Sequence, residues 1–154
     1  MSSNERLAAL QQERYALMNK TFWDIFNAFE KSFVILNDPF FPNADWLYYQ
    51  RTISIRVGKG TGHSTFAKEL AAKYNAFLLT MDHEAVDGEF CFTHNRLREL
   101  YHKVFESGDK PTLFVIDDAY QFGGRIESLQ YRLIKFRDVL GEAYIQQLRF
   151  VLLN

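Results

Sequence analysis

Two hydrophobic rhythms divide this chain near residue 50. From residue 4 to about 35, Leu7, Leu10, Leu17, Phe22, Ile25, Phe26, Phe29 and Phe33 recur at helical spacing, with Gln11, Gln12, Glu13, Asn19 and Lys20 between them. That period predicts one long amphipathic helix or two shorter ones. Asn37-Asp38-Pro39 ends the pattern, and residues 40–45 read as a loop. Beyond residue 51, short apolar runs, largely continuous in all but the first, alternate with helical stretches. The runs lie at 52–57, 76–81, 112–116 and 148–153. Apolar runs without in–out alternation are what strands covered on both faces require. Helices are expected at 65–74, at 94–107 (Thr93 as N-cap, Gly108 as stop) and at 125–146 with a break at Gly141, while 83–92 reads as irregular. Strands alternating with helices predict an α/β fold, a parallel sheet of about four strands flanked by helices. The 154 residues make one domain, with 1–45 a helical extension packed on a core at 51–154.

Composition narrows the class. The chain is aromatic-rich, with 15 Phe and 8 Tyr, and its net charge of −1 gives no global field to attract nucleic acid or a membrane. The single cysteine, Cys91, has no internal disulfide partner, which suits a reducing compartment. Residues 1–6 lack a signal-peptide pattern, and no apolar run approaches the roughly 20 residues a membrane span needs. A cytoplasmic protein is expected.

The chemistry gathers at the ends of the apolar runs, where ligands of open parallel sheets bind. The first run leads into Val57-Gly58-Lys59-Gly60-Thr61-Gly62-His63-Ser64-Thr65, which opens a helical pattern. The second ends at Asp82, the third at Asp117-Asp118 and the fourth at Asn154. In a strand–glycine loop–helix arrangement, glycines let consecutive N–H groups turn inward and the helix adds the positive end of its dipole, so the loop suits an anion such as phosphate.

Over residues 51–154 this arrangement resembles the P-loop NTPases, and within them the additional-strand group that includes the AAA+ and RecA-like ATPases. The loop at 57–65 looks like a variant Walker A motif, Leu113-Phe114-Val115-Ile116-Asp117-Asp118 looks like Walker B, and Phe150–Asn154 looks like the strand that carries the sensor-1 residue. The resemblance implies a strand order 1-4-3-2 for the four runs. It implies that Gly58, Lys59, Gly60, Thr61, Gly62, His63, Ser64 and Thr65 bind a nucleotide, ATP or another NTP. Ser64 and Asp117 would hold Mg²⁺, Asp118 would polarise the attacking water from the place of the usual glutamate, and Asn154 would orient that water or read the γ-phosphate. The departure is His63, which occupies the position of the phosphate-binding lysine. An imidazole is shorter and only partly charged near neutral pH, and Lys59 is a candidate to supply the missing charge. The Gly-Thr-Gly-His-Ser-Thr form is also similar to loops in small phage-encoded proteins, which would place the chain in a host cytoplasm.

The resemblance implies a small Mg²⁺-dependent ATPase cleaving the β–γ phosphoanhydride. The alternative is a degenerate, non-hydrolysing P-loop module acting through a protein partner. A phosphotransferase is disfavoured because the 83–96 segment is acidic at its start, where such enzymes need a basic lid. The stripe Phe22, Phe26, Phe29 and Phe33 reads as core, with self-association or a protein partner on the N-terminal helix as the other reading. Arg125, Arg132 and Arg137 are arginine-finger candidates, although a solvated helix face explains them. Arg96, Arg98, His102 and Lys103 make a small basic face that allows nucleic acid without indicating it. Cys91 and His94, with His83 and His102 nearby, match no zinc spacing.

Overall fold

The computed structural model describes residues 2–35, 43–58, 60–82 and 88–154, with the side chains of Val34 and Ile35 left aside. The expected stop at Asn37-Asp38-Pro39, residues 40–42 of the expected 40–45 loop, Lys59, His83 and the rest of 83–87 lie outside the described residues, and Ala44 and Asp45 are helical where the sequence pattern predicts a loop.

The N-terminal pattern forms one helix, α1 (Ser3–Ile35). A short helix that the pattern does not announce, α2 (Ala44–Gln50), follows; the Asn43 side chain caps it by accepting from the Trp46 N–H. Then come β1 (Thr52–Ile55), α3 (His63–Tyr74), β2 (Phe77–Thr80), β3 (Cys91–Thr93), α4 (Leu97–Glu106), β4 (Leu113–Asp117), α5 (Arg125–Lys135), α6 (Arg137–Leu140), α7 (Glu142–Gln146) and β5 (Arg149–Leu153), with 3₁₀ turns at 94–96 and 119–122. The helix expected at 125–146 is three short ones: it breaks at Phe136 as well as at Gly141, whose φ of 94° an L side chain resists. Thr93 ends a strand and makes no side-chain cap.

Among the described residues the sheet has five strands in the order β1-β5-β4-β2-β3, every neighbouring pair parallel. The edge strand β3 lies where the sequence shows no strand pattern. Three residues carry too little periodicity, and β3 exists by pairing Cys91, Phe92 and Thr93 with Leu78, Leu79 and Thr80.

Successive strand residues point to opposite faces, and the two faces carry separate cores. Phe77, Leu79, Phe92, Phe114, Ile116 and Phe150 pack with residues of α2, α4, α5 and α7. Leu78, Cys91, Leu113, Val115, Val151 and Leu153 pack under Phe22 and Phe26 of α1 and Phe66, Ala67 and Leu70 of α3. Asp117 is next in phase after Leu113 and Val115, so it emerges on the α3 side. Within α1 the packing stops abruptly: residues 2–17 are exposed, while Phe22 and Phe26 are fully buried. Asn19 bonds Glu69 of α3 at 3.0 Å, and Glu30 pairs with Arg149 at 2.7 Å, fixing the C-terminal half of α1. Among the described residues no helix is long and apolar enough to cross a membrane.

Candidate functional site

The first strand of the core is shorter than its apolar run because the chain leaves the ladder after Ile55. The Val57 and Gly58 N–H groups both donate to the Asn154 carbonyl, at 2.9 and 3.3 Å, which ties the start of the loop to the end of β5. The loop then climbs through three glycines with positive φ: Gly58 at 76°, Gly60 at 74° and Gly62 at 83°. The buried Thr61 hydroxyl donates to the Gly58 carbonyl at 3.0 Å, closing the loop on itself.

Helix α3 begins at His63, two residues earlier than its apolar pattern suggests. Gly62 is its N-cap in the left-handed region and offers no side-chain cap. Among the described residues, the N–H groups of Gly60, Thr61, Gly62, His63, Ser64 and Thr65 meet no acceptor; the first helical bond is Phe66 N–H to the Gly62 carbonyl at 3.0 Å. Six consecutive donors at a helix N-terminus concentrate positive potential.

Across from that row stands the end of β4. His63 Nδ1 lies 2.9 Å from Asp117 Oδ1, with both side chains almost wholly buried. His63 Nε2 lies 3.8 Å from Asp118 Oδ1. One imidazole therefore sits between two carboxylates that are consecutive in sequence yet lie on either side of it. Asp118 manages this because its backbone is left-handed, φ 53° and ψ 49°, a conformation costing a non-glycine residue on the order of 1 kcal/mol. Asp117, Asp118 and His63 are the one group of three potential metal-ligating side chains brought together among the described residues, with donor atoms all within 4.8 Å of one another.

The other expected residues fall as follows. Ser64 and Thr65 sit in the first turn of α3 beside His63. The Asn154 Oδ1 accepts from the Tyr120 N–H at 2.7 Å, at the turn after Asp118. Asp82 lies past the end of β2, where its N–H donates to the buried Thr80 hydroxyl at 3.1 Å. Among the described residues, Cys91, His94 and His102 form no ligand group: Cys91 is buried in the α1–α3 core and His102 pairs with Glu106 at 2.9 Å. On the basic face around α4, Arg96 pairs with Glu99 and Lys103 with Glu89, which lies just before β3. Arg125 donates to the His94 carbonyl at 3.3 Å, and Arg132 stacks on Tyr101 at 4.6 Å.

Sequence reasoning missed Tyr15. Its ring lies 3.7 Å from where a Cβ on Gly62 would stand, so α1 passes directly over the loop. The available signal was its phase: Tyr15 is seven residues before Phe22, on the same stripe. At Gly62 an added methyl group has ordinary room, and the obstacle is φ. Gly62→Ala is expected to lower unfolding free energy by about 1–2 kcal/mol, the cost of a left-handed L-residue; urea denaturation measures it. No change would mean that the loop relaxes to another conformation.

Comparison with family models, with curated proteins and with solved structures finds no match to this chain.

Proposed function

We propose that this chain binds a nucleoside triphosphate, ATP in the first instance, through the 57–65 loop, and hydrolyses its β–γ phosphoanhydride with a divalent cation. One observation carries the reading: His63, the first residue of α3, is held 2.9 Å from Asp117 at the tip of β4. That contact puts a row of acceptor-free N–H groups beside a carboxylate pair, which is what a phosphate chain and its counter-ion need. The amides of 60–65 would take the phosphate oxygens, and Lys59 would lie in the same loop. The carboxylates of Asp117 and Asp118 and the Ser64 hydroxyl are hard oxygen donors, a set that fits Mg²⁺. Asp117 and Ser64 would hold the ion, whose contribution is to neutralise charge on the β- and γ-phosphates. Asp118 would orient a water for in-line attack on the γ-phosphorus. The bond from that phosphorus to the bridging oxygen breaks, giving nucleoside diphosphate and inorganic phosphate. Asn154 would serve this site through the backbone it holds at residue 120.

Calorimetric titration with ATP and GTP, with phosphate release measured with and without Mg²⁺, tests the proposal. The expected result is binding of at least one nucleotide and release that requires Mg²⁺. Folded protein that binds neither nucleotide overturns it.

The second reading, a non-hydrolysing module working through a protein partner, is favoured by α1. Its first half stands clear of the core, with Leu7 and Leu17 each 66% and Leu10 61% exposed. Nucleotide binding without phosphate release would select this reading. Because residues 2–13 are all exposed, removing them is expected to change unfolding free energy by no more than about 1 kcal/mol, the scale of a few surface substitutions. A urea midpoint that falls further would show that this half of α1 supports the fold.

A further inference from the structure

The contacts of His63 differ on its two nitrogens. Nδ1 is at hydrogen-bond distance from Asp117 Oδ1, 2.9 Å, whereas Nε2 is 3.8 Å from Asp118 Oδ1, too far for a hydrogen bond. With the Asp117 carboxylate as acceptor, Nδ1 is the donor nitrogen, which leaves Nε2 on the side of Asp118. The ligand atoms of His63, Asp117 and Asp118 all lie within 4.8 Å of one another, close enough to share one metal ion. The gap has the size for one: metal–nitrogen and metal–oxygen bonds of about 2.1 Å each span such a distance at a wide angle. A carboxylate receiving the other ring N–H is also how ligating histidines are oriented.

We infer that, in a nucleotide-free state distinct from the Mg²⁺–nucleotide state proposed above, His63 Nε2 and Asp118 hold a divalent ion of the imidazole-accepting class, zinc or cobalt(II), directly, with Asp117 as the positioning residue behind the ring. The histidine at the lysine position is then a metal ligand in place of a phosphate-binding cation. Imidazole donors favour such ions over magnesium, whose preference is for oxygen alone. The His63 and Asp117 side chains are almost fully buried and that of Asp118 is about one-third exposed, so the site is walled on one side and open on the other. The remaining coordination positions face that opening and are free for water or a phosphate oxygen.

The test is titration of the full, metal-stripped chain with Co²⁺ alone, followed by visible absorption, and with Zn²⁺ and Mg²⁺ alone, followed by calorimetry. No nucleotide is present, so the result stands apart from the hydrolysis proposal. One Co²⁺ or Zn²⁺ per chain is expected, bound more tightly than Mg²⁺. His63→Gln and Asp118→Asn are each expected to weaken Co²⁺ binding at least ~10-fold, the lower end of what disturbing a metal's immediate surroundings costs. His102→Gln, which removes the exposed His102–Glu106 pair on α4, is expected to leave it unchanged. Because a variant at His63 could fail to fold, ¹⁵N-histidine spectra of the unaltered chain supply a second measurement: Zn²⁺ should move the Nε2 resonance of His63. A folded chain that binds no Co²⁺, binding lost at His102 but kept at His63 and Asp118, or an unmoved His63 resonance would each overturn the inference.

Discussion

Asp117→Asn is expected to reduce phosphate release at least ~100-fold while leaving the fold intact, a loss on the scale of removing one preorganised electrostatic group from an active site. The asparagine matters more than the alanine because it separates two roles. In the folded chain the Asp117 carboxylate accepts from His63 Nδ1 at 2.9 Å in a nearly dry environment. Alanine would leave a buried imidazole without its partner, at about 1–3 kcal/mol, so lost activity could reflect lost protein. Asparagine keeps the volume and can still accept through Oδ1, but it has no charge with which to hold a cation. Circular dichroism and the urea midpoint should therefore stay near those of the unaltered chain while turnover collapses. Asp138→Asn, on the exposed side of α6, serves as the matched control and should release phosphate at the unaltered rate. Asp117→Asn retaining turnover within about tenfold of the original, well short of the usual penalty, would remove Asp117 from the chemistry and with it the proposed function.

Reading the sequence goes furthest where a feature is written in adjacent residues. The runs at 76–81, 112–116 and 148–153 hold strands because a segment covered on both faces must be mostly apolar, and that leaves Phe-Leu-Leu, Leu-Phe-Val-Ile and Phe-Val-Leu-Leu as continuous stretches. The glycines at 58, 60 and 62 are legible for a similar reason: the loop visits positive φ at each of them. What pairing alone creates stays hidden. Strand β3 has three residues and exists because β2 offers an edge. The partnership of His63 with Asp117 spans 54 positions and depends on β4 lying one strand removed from β1 in the sheet. Local reading compares His63 with a lysine, since the loop supplies only that comparison, whereas the folded chain shows the ring engaged by carboxylates. Asn154 shows what its position in the sequence leaves out: its oxygen atoms accept from the backbone N–H groups of residues 57, 58 and 120, contacts that only the folded chain creates. The α2 cap at Asn43, with Asp45 in the first turn, was legible in principle but lay inside a stretch dominated by loop-forming residues.

The second large effect concerns the sheet that aims Asp117. Phe114→Ala is expected to lower unfolding free energy by about 3–5 kcal/mol, a large part of the 5–15 kcal/mol typical of a domain. Phe114 has no exposure and lies in register with Phe77 on one neighbouring strand and Phe150 on the other. Its ring stacks on both, with centroids 4.8 Å and 4.6 Å away, so three rings run across β2, β4 and β5 as one aromatic row. Removing the middle ring deletes both stacking contacts and leaves a cavity that neither strand can close without breaking its ladder. Phe114→Leu keeps much of the volume and should cost less than about half as much. The consequence reaches the site through strand geometry. Phe114 faces the α4–α5 core, Asp117 three residues later faces α3, and the same ladder fixes both. Phe114→Leu should therefore retain phosphate release at moderate temperature, whereas Phe114→Ala should lose it at the temperature where its circular dichroism signal melts. Urea denaturation measures the first effect. A loss under about 1 kcal/mol for the alanine variant, far below the usual cost of emptying a phenylalanine site, would show that the aromatic row is not what holds β4 between its neighbours.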